Sequence, residues 1–378
     1  MNFFPAAEKA EYIARPNRFT LICRLRGRKV NAFLPNPGRL WEVLLPGVAV
    51  YLEKCPRDRT LPYTAVAIER DGRPLIVHTH RTNDFVDHLL KKGKVAGLEN
   101  AKILKREAPW GNARFDFLLE EGGKEIYLEV KSCTLFGKRM AMFPDAVTAR
   151  GKRHIEELVR LSETGKGGAV LFLVASNRAQ YFLPEYHTDL AFSRTFLAAR
   201  EKISIIPLAF GVRPDLSLAP AVRLLQIPWD LLERECRDRG AYILVLRLRT
   251  EKKVEIGRLG RIVFRPGHYL YVGSARKNLT PRLERHRRTR KNLFWHIDYL
   301  RESAEFLHGI PIRTSDDIEC GLARAVEKIA EWKIPRFGSS DCGCGSHLFG
   351  LAEDPLRSPR FISLLQHFRM DRLTSPPE

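Results

Sequence analysis

Arg114-Phe115-Asp116-Phe117-Leu118-Leu119, followed shortly by Glu125-Ile126-Tyr127-Leu128-Glu129-Val130-Lys131, decides how the middle of this chain is read. Side chains alternate across a strand, so Phe115, Phe117 and Leu119 take one face and Asp116 the other. In the second stretch Ile126, Leu128 and Val130 share a face, and Tyr127, Glu129 and Lys131 share the opposite one. If the two strands pair, two carboxylates and an ammonium converge. Asp116 and Glu129 then form a hard oxygen set of the kind Mg²⁺ prefers. Such an ion lowers the pKa of a bound water and neutralises charge on a phosphate, and Lys131 is placed to orient the water or stabilise the same charge. Phosphodiester hydrolysis suits this set, although on spacing alone a solvated hairpin face is the commoner explanation of Asp and Lys.

The surrounding chain alternates β-rich runs and turns before Asn83 and becomes mixed α/β after it. Short runs at 19–22, 30–33, 48–52, 63–68 and 75–77 are punctuated by Gly27, Pro35, Pro37, Gly38, Pro46, Gly47, Pro56, Pro62 and Gly72, which predicts about five strands in a small barrel. Asn83 is placed to cap a helix through Lys91. Strands are expected at 101–106, 114–119 and 125–131, a helix at 151–161, an apolar strand at 169–175, a helix at 192–200 and a strand at 203–207. From Arg213 to Pro228 the chain turns Pro-containing and less periodic, and a new apolar strand opens at Ala241. The expected domains are 1–82, 83–230 and 231–378.

The 378 residues carry a formal charge of +20 at pH 7, divided as +7, +4 and +9 over those three segments. The excess is a folded surface rather than a tail, and it implies a polyanionic partner. Its densest run, Arg276 to Lys291, has eight Lys/Arg against one Glu. A 44% hydrophobic composition excludes disorder throughout. The longest apolar stretch, 169–175, is far below the roughly 20 residues of a membrane helix, and the first residues lack a secretory pattern. A cytoplasmic location and no membrane partner are therefore expected. Seven scattered cysteines do not read as a disulfide framework.

Pro35-Asn36-Pro37-Gly38-Arg39-Leu40, Arg114-Phe115-Asp116-Phe117, Glu129-Val130-Lys131-Ser132-Cys133-Thr134-Leu135 and Phe143-Pro144-Asp145-Ala146-Val147-Thr148-Ala149-Arg150-Gly151 resemble, in order, the motifs of the sugar fermentation stimulation protein family. Pro37 stands where that family more often has Thr. The likeness spans about residues 10 to 227 and implies an OB-like barrel followed by an α/β domain similar to the PD-(D/E)XK restriction endonucleases. It implies a DNA/RNA nuclease with Asp116, Glu129 and Lys131 catalytic, Asp116 and Glu129 binding Mg²⁺ or Mn²⁺, and Asp145, Arg150 and His154 contacting phosphate or supporting the metal. The competing roles are structural: Asp145 capping a turn, and His154 one turn past Arg150 on a basic helix face. In the barrel, Arg15, Arg18, Asn36 and Arg39 are expected on nucleic acid, with Phe19, Phe33 and Trp41 available for base stacking or for the core.

Gly240-Ala241-Tyr242, Tyr269-Leu270-Tyr271-Val272-Gly273 and the basic stretch Asn278 to His286 resemble the GIY-YIG nuclease superfamily over about 239 to 350. The complete expectation is a multidomain α+β chain ending in a GIY-YIG-like domain. By that likeness Tyr242 and Tyr271 are the motif tyrosines, Arg282 the helix arginine and Glu319 the metal-binding acid, in a helix that Asp316 or Asp317 could cap. The 28 residues between the tyrosines exceed the usual loop, so an inserted hairpin near Ile256 to Phe264 is expected. Arg285, His286, Arg287 and Arg288 are expected phosphate contacts, which makes binding salt-dependent. Cys342, Cys344 and His347, with His296 or Cys320 as a fourth, have the softness zinc favours. The spacing is not that of a standard zinc finger, so a Gly-rich turn with buried thiols is the favoured reading. The rival to a Mg²⁺-dependent nuclease is a DNA-binding regulator of sugar metabolism genes without hydrolytic activity.

Overall fold

A computed structural model describes residues 3–56 and 59–374. The chain divides into two units, Met1–Glu185 with Ala191–Trp229 and Tyr186–Leu190 with Asp230–Glu378. Six residues of the segment expected as a middle domain, 83–230, namely Tyr186–Leu190 and Asp230, fall in this second unit.

The first unit begins with six strands, β1 (Glu8–Asn17), β2 (Thr20–Leu25), β3 (Arg28–Phe33), β4 (Ala49–Lys54), β5 (Tyr63–Arg70) and β6 (Arg73–Ile76). They follow the order β3-β2-β1-β4-β5-β6, and β3 pairs in parallel with β5 through Ala32↔Tyr63 and Phe33↔Thr64, which closes the OB-like barrel. Leu21, Cys23 and Leu25 alternate into its interior. The two-residue turn between β2 and β3 needs positive φ at both positions, and Arg26 (49°) and Gly27 (77°) supply it. Strand β1 is additional to the five expected. Only Ala10 and Tyr12 of its ten residues are buried, so it shows little alternation.

There follow α1 (Thr82–Lys91), β7 (Lys102–Trp110), β8 (Ala113–Glu121), β9 (Lys124–Cys133), β10 (Leu135–Phe136), β11 (Met140–Phe143), α2 (Ala149–Ser162), β12 (Gly167–Val174), β13 (Tyr181–Pro184), α3 (Leu190–Ala198), β14 (Ser204–Val212) and β15 (Leu218–Leu224). The main sheet has the order β15-β14-β12-β9-β8-β7, with β9, β12 and β14 parallel and the rest antiparallel. β12 lies inside this sheet, and its run Gly-Gly-Ala-Val-Leu-Phe-Leu-Val is apolar on both faces, as a strand covered on both sides must be. Helix α2 makes the crossover that parallel pairing of β9 and β12 requires. Two expectations are corrected here. Arg81, not Asn83, is the residue at the N-terminus of α1, which leaves Asn83 within the first turn. The stretch from Arg213 contains β15, whose Pro220 is tolerated because the strand is at the sheet's edge.

The second unit is built from α4 (Trp229–Glu235, from Asp230 on), β16 (Gly240–Leu248), β17 (Lys252–Glu255), β18 (Arg261–Phe264), β19 (Gly267–Ala275), α5 (Leu279–Arg287), α6 (His296–Ser303), β20 (Glu305–Arg313), α7 (Glu319–Glu327), β21 (Trp332–Lys333), β22 (Leu348–Leu351) and α8 (Pro359–Arg369). Its sheet order is β20-β16-β19-β22-β21, and β17 with β18 forms the hairpin inserted between β16 and β19. Tyr242, Leu244, Tyr269, Tyr271, Leu279, Leu300 and Phe337 share one core. Tyr242 opposes Gly273 in the ladder, and a Cβ at Gly273 would lie 2.5 Å from the Tyr242 hydroxyl, so only glycine admits that ring. Neither Asp316 nor Asp317 caps α7: the cap position is Ile318, and Asp316 instead pairs with Arg372 at 2.8 Å. Among the described residues no helix is long and apolar enough to cross a membrane.

Candidate functional site

Strands β8 and β9 pair antiparallel from Phe117↔Leu128 outward, and Asp116 and Glu129 stand next beyond that pair. Asp116 Oδ2 accepts the Val130 N–H at 2.7 Å, and Oδ1 accepts from Asn83 Nδ2 of α1 at 2.7 Å. Glu129, only 4% exposed, receives both the Lys131 ammonium and His154 Nδ1 of α2 on Oε1. Lys131 Nζ and His154 Nδ1 are themselves 3.5 Å apart. Arg150 Nε donates to His154 Nε2 at 3.3 Å, which leaves Nδ1 to donate to Glu129. The rings of Phe115 and His154 meet edge to face at 6.1 Å, giving the site an apolar wall.

Burial pushes the Asp116 carboxyl upward, and the neighbouring Glu129 charge adds to that. Burial acts on Glu129 in the same direction, but the His154 hydrogen bond and the Lys131 ammonium outweigh it and hold Glu129 below the usual carboxylate range. A carboxyl raised first by its own desolvation and then by a neighbouring carboxylate gains from a cation placed beside it. A half-buried and a buried carboxylate set side by side would fit a hard divalent cation.

Several expected residues have other roles. His154 is buried against Glu129 instead of lying on an exposed basic helix face, and Asn83, expected as a cap, positions Asp116. Asp145 faces the Asn36-to-Leu40 loop: its Oδ2 accepts the Leu40 N–H at 3.4 Å and its carbonyl accepts from Arg39. Arg15 spends its guanidinium on the carbonyls of Arg39 (2.8 Å), Arg18 (2.7 Å) and Asn36 (3.2 Å), and Asn36 is buried with its Oδ1 on the Gly38 N–H. These two residues shape the loop and are not presented to a ligand, which corrects their expected place on nucleic acid. Arg39 lies over Trp41 at 4.5 Å, and Arg18 is exposed. Phe19 is 48% exposed and stacks on Phe33 at 6.4 Å, which in turn meets His80 at 6.1 Å, so these aromatics form an open ledge on the barrel.

In the second unit Tyr242, Tyr271, Arg282, Trp295 and Glu319 line one cleft of about 360 Å³. The Tyr242 hydroxyl is 2.9 Å from His286 Nε2, and Arg282 Nη1 donates to the Ser274 carbonyl at 2.7 Å. Glu319 accepts from Ser274 Oγ, and its Oε1 is 3.2 Å from His347 Nδ1. Burial pushes both tyrosine hydroxyls well above their ordinary range, so they are neutral hydrogen-bonding groups at neutral pH. His286 is 1% exposed, and Arg285 is turned onto buried Asp298 through two 3.0 Å contacts. Neither is free for phosphate as expected, whereas Arg287 and Arg288 are exposed. Asp298 was not singled out as a site residue by sequence reasoning, although an acid three residues after Trp295, just behind a basic run, carried the signal of a helix start. His296, one candidate fourth zinc ligand, instead accepts the Gly338 N–H at 3.2 Å.

The comparisons agree with this layout. Residues 13–77 match the model described as the SfsA N-terminal OB domain, 80–215 the sugar fermentation stimulation protein RE domain, and 241–370 a domain of unknown function, DUF123. The solved structure of Pyrococcus furiosus SfsA in complex with Ca²⁺ superposes with a TM-score of 0.56 at 28% identity, covering 60% of this chain and 97% of that one. The sugar fermentation stimulation protein homolog of Clostridium tetani is 37% identical over 196 residues, 51% of this chain and 85% of the relative. That of Methanothermobacter thermautotrophicus is 36% identical over 225 residues, 58% of this chain and 93% of the relative. With nearly the whole of such relatives covered at this identity, the chain belongs to the sugar fermentation stimulation protein family.

Proposed function

We propose that this protein is a metal-dependent nuclease of DNA or RNA whose principal site is Asp116, Glu129 and Lys131. The observation that carries the reading is the meeting of a half-buried carboxylate, Asp116, and a buried one, Glu129, across neighbouring strands, with the Lys131 ammonium beside them. A divalent ion such as Mg²⁺ or Mn²⁺, held by Asp116 and Glu129, would supply charge neutralisation on the scissile phosphate and a bound water of lowered pKa. The Pyrococcus furiosus relative was solved in complex with Ca²⁺, a hard divalent ion, which supports this assignment.

The chain's own residues set the stage. Asn83 and the Val130 N–H fix the rotamer of Asp116, and His154 with Lys131 fixes Glu129. Lys131 keeps donor capacity to orient a water or stabilise charge on the phosphate. We assign 1–82 to nucleic-acid binding by the barrel, 83–230 to the chemistry and 231–378 to further binding. The Phe19–Phe33–His80 ledge suits stacked bases, and Arg18, Arg39, Arg287 and Arg288 suit phosphates. Tyr242, Tyr271, Arg282 and Glu319 form a candidate second site, with Glu319 the metal-binding acid and Arg282 the phosphate fork, because they open into one cleft.

The test is a contamination-controlled cleavage assay with Mg²⁺ and Mn²⁺ on single-stranded, duplex and branched substrates. Asp116→Asn and Glu129→Gln should each lower cleavage by at least a hundredfold with binding nearly unchanged. Unchanged cleavage in both variants removes Asp116 and Glu129 from the chemistry. Binding without cleavage of any substrate supports the non-catalytic regulator instead.

A further inference from the structure

The segment Gly338-Ser339-Ser340-Asp341-Cys342-Gly343-Cys344-Gly345 contains no aliphatic or aromatic side chain that could anchor it in a core. Its ends are held by backbone hydrogen bonds, Arg336 N–H to the Gly345 carbonyl and His347 N–H to the Phe337 carbonyl, both 2.8 Å. Between those ends, Cys342 and Cys344 meet His347 and Cys320 of α7. The three sulfurs and one ring nitrogen all lie within 4.8 Å of one another, and Cys342 Sγ is 3.5 Å from His347 Nε2. A tetrahedral zinc site with bonds of about 2.0–2.3 Å has ligand-to-ligand edges of roughly 3.5–3.8 Å. None of the three thiols is in a disulfide.

We propose that Cys320, Cys342, Cys344 and His347 hold a structural zinc ion, in a site separate from the hard-cation site at Asp116 and Glu129. Three thiolates and an imidazole are a soft set that selects zinc over Mg²⁺ or Ca²⁺, and four protein ligands close the coordination shell, as structural sites do. A histidine that ligates through one nitrogen usually donates the other N–H to a carboxylate. His347 fits this pattern: Nε2 faces Cys342 Sγ, and the enclosed Nδ1 faces Glu319 Oε1 at 3.2 Å. The ion would therefore clamp the loop to the start of α7 and fix the orientation of Glu319. The same loop supplies Ser340 and Asp341 to the cleft that Glu319 lines. Zinc binding here does not depend on nuclease activity, since its ligands and its readout lie outside Asp116 and Glu129.

Elemental analysis of the full chain, purified with thiols protected and without an affinity metal, should give one zinc per chain. Replacement of the ion by Co²⁺ should produce the visible bands of a tetrahedral, thiolate-rich site together with thiolate-to-metal charge transfer. Cys342→Ser and Cys344→Ser should lose the ion; if either fails to fold, the cobalt spectrum of the unmodified chain decides. Glu319→Gln should keep the ion but weaken it about 10- to 100-fold against a competing chelator, and unchanged affinity would overturn the role of Glu319. A zinc content near zero, a disulfide among Cys320, Cys342 and Cys344, or an octahedral cobalt spectrum would overturn the site.

Discussion

Asp298→Asn is a severe test of how the basic helix of the second unit is held. Asp298 is fully buried and accepts Arg285 Nη1 and Nη2 at 3.0 Å each, the Phe294 N–H at 3.0 Å and the Trp295 N–H at 3.1 Å, with Lys291 Nζ at 2.7 Å. Burial alone would raise its carboxyl, but the His286 ring 3.8 Å away, the Arg285 fork and the Lys291 ammonium hold it far below the usual range. Asparagine removes the charge that compensates Arg285 and Lys291 and turns one acceptor into a donor facing other donors. The Lys291 side chain is only 6% exposed, so water does little to relieve it. Removing one partner of a buried ion pair costs about 3–5 kcal/mol. At about 1.36 kcal/mol per factor of ten, amide exchange through opening of this unit should speed up about 150- to 5000-fold. Hydrogen exchange read by mass spectrometry on peptides covering 294–303 measures this separately from the first unit. Adding Lys291→Met should recover part of the loss. An acceleration below about tenfold would show that the cluster is effectively solvated and would refute the account.

Other outcomes follow from the same contacts. His187 is fully buried, with Nε2–H on the Arg369 carbonyl (2.8 Å) and Nδ1 accepting the Arg313 N–H (2.8 Å). Burial, with Arg369, Arg372 and Arg313 nearby, holds its pKa well below 6.5. As pH falls below 6.5 the unfolded chain takes up a proton that the folded one refuses. Stability should therefore drop by on the order of 1.4 kcal/mol per pH unit more than in His187→Gln, measured by denaturant unfolding. Gly38→Ala puts a Cβ 2.2 Å from Asp145 Oδ2 and should destabilise the first unit by about 1–3 kcal/mol, partly restored by Asp145→Ala. Phe19→Ala should weaken single-strand binding about tenfold with melting unchanged. Arg287→Ala with Arg288→Ala should lower the salt slope of duplex binding by about 2.

The E-x-K strand and its partner were legible because a period of two fixes which side chains share a face, and nothing in tertiary packing overrides it there. The barrel was legible from its turns, apart from β1, where polar residues make up half the run and the adjacent Tyr12, Ile13 and Ala14 break the alternation. β15 was missed because its Pro220 reads as a breaker until the strand is known to be at an edge. The parts of the site that escaped notice are contacts between distant elements: which helix reaches Asp116, and whether His154 points to solvent or to Glu129. Local spacing allows both answers, and only the packing of α1 and α2 on the sheet chooses. The run Arg276 to Lys291 shows the same limit. Its charge was evident, but the inward assignment of Arg282, Arg285 and Lys291 depends on Ser274 and Asp298, one before the run and one beyond it.

The five residues Tyr186–Leu190 have a consequence for the order of events during synthesis. They leave the ribosome more than a hundred residues before Arg313 and Arg369, the residues that satisfy both nitrogens of the His187 ring. Until then that ring and its backbone wait without their final neighbours, flanked on both sides by chain belonging to the first unit. A gene fragment starting at 231 would encode the C-terminal sheet yet lack the buried histidine that bonds the Arg313 N–H and the Arg369 carbonyl, so cutting at the linear boundary should give an aggregation-prone product. Supplying 186–190 as a separate peptide should rescue it.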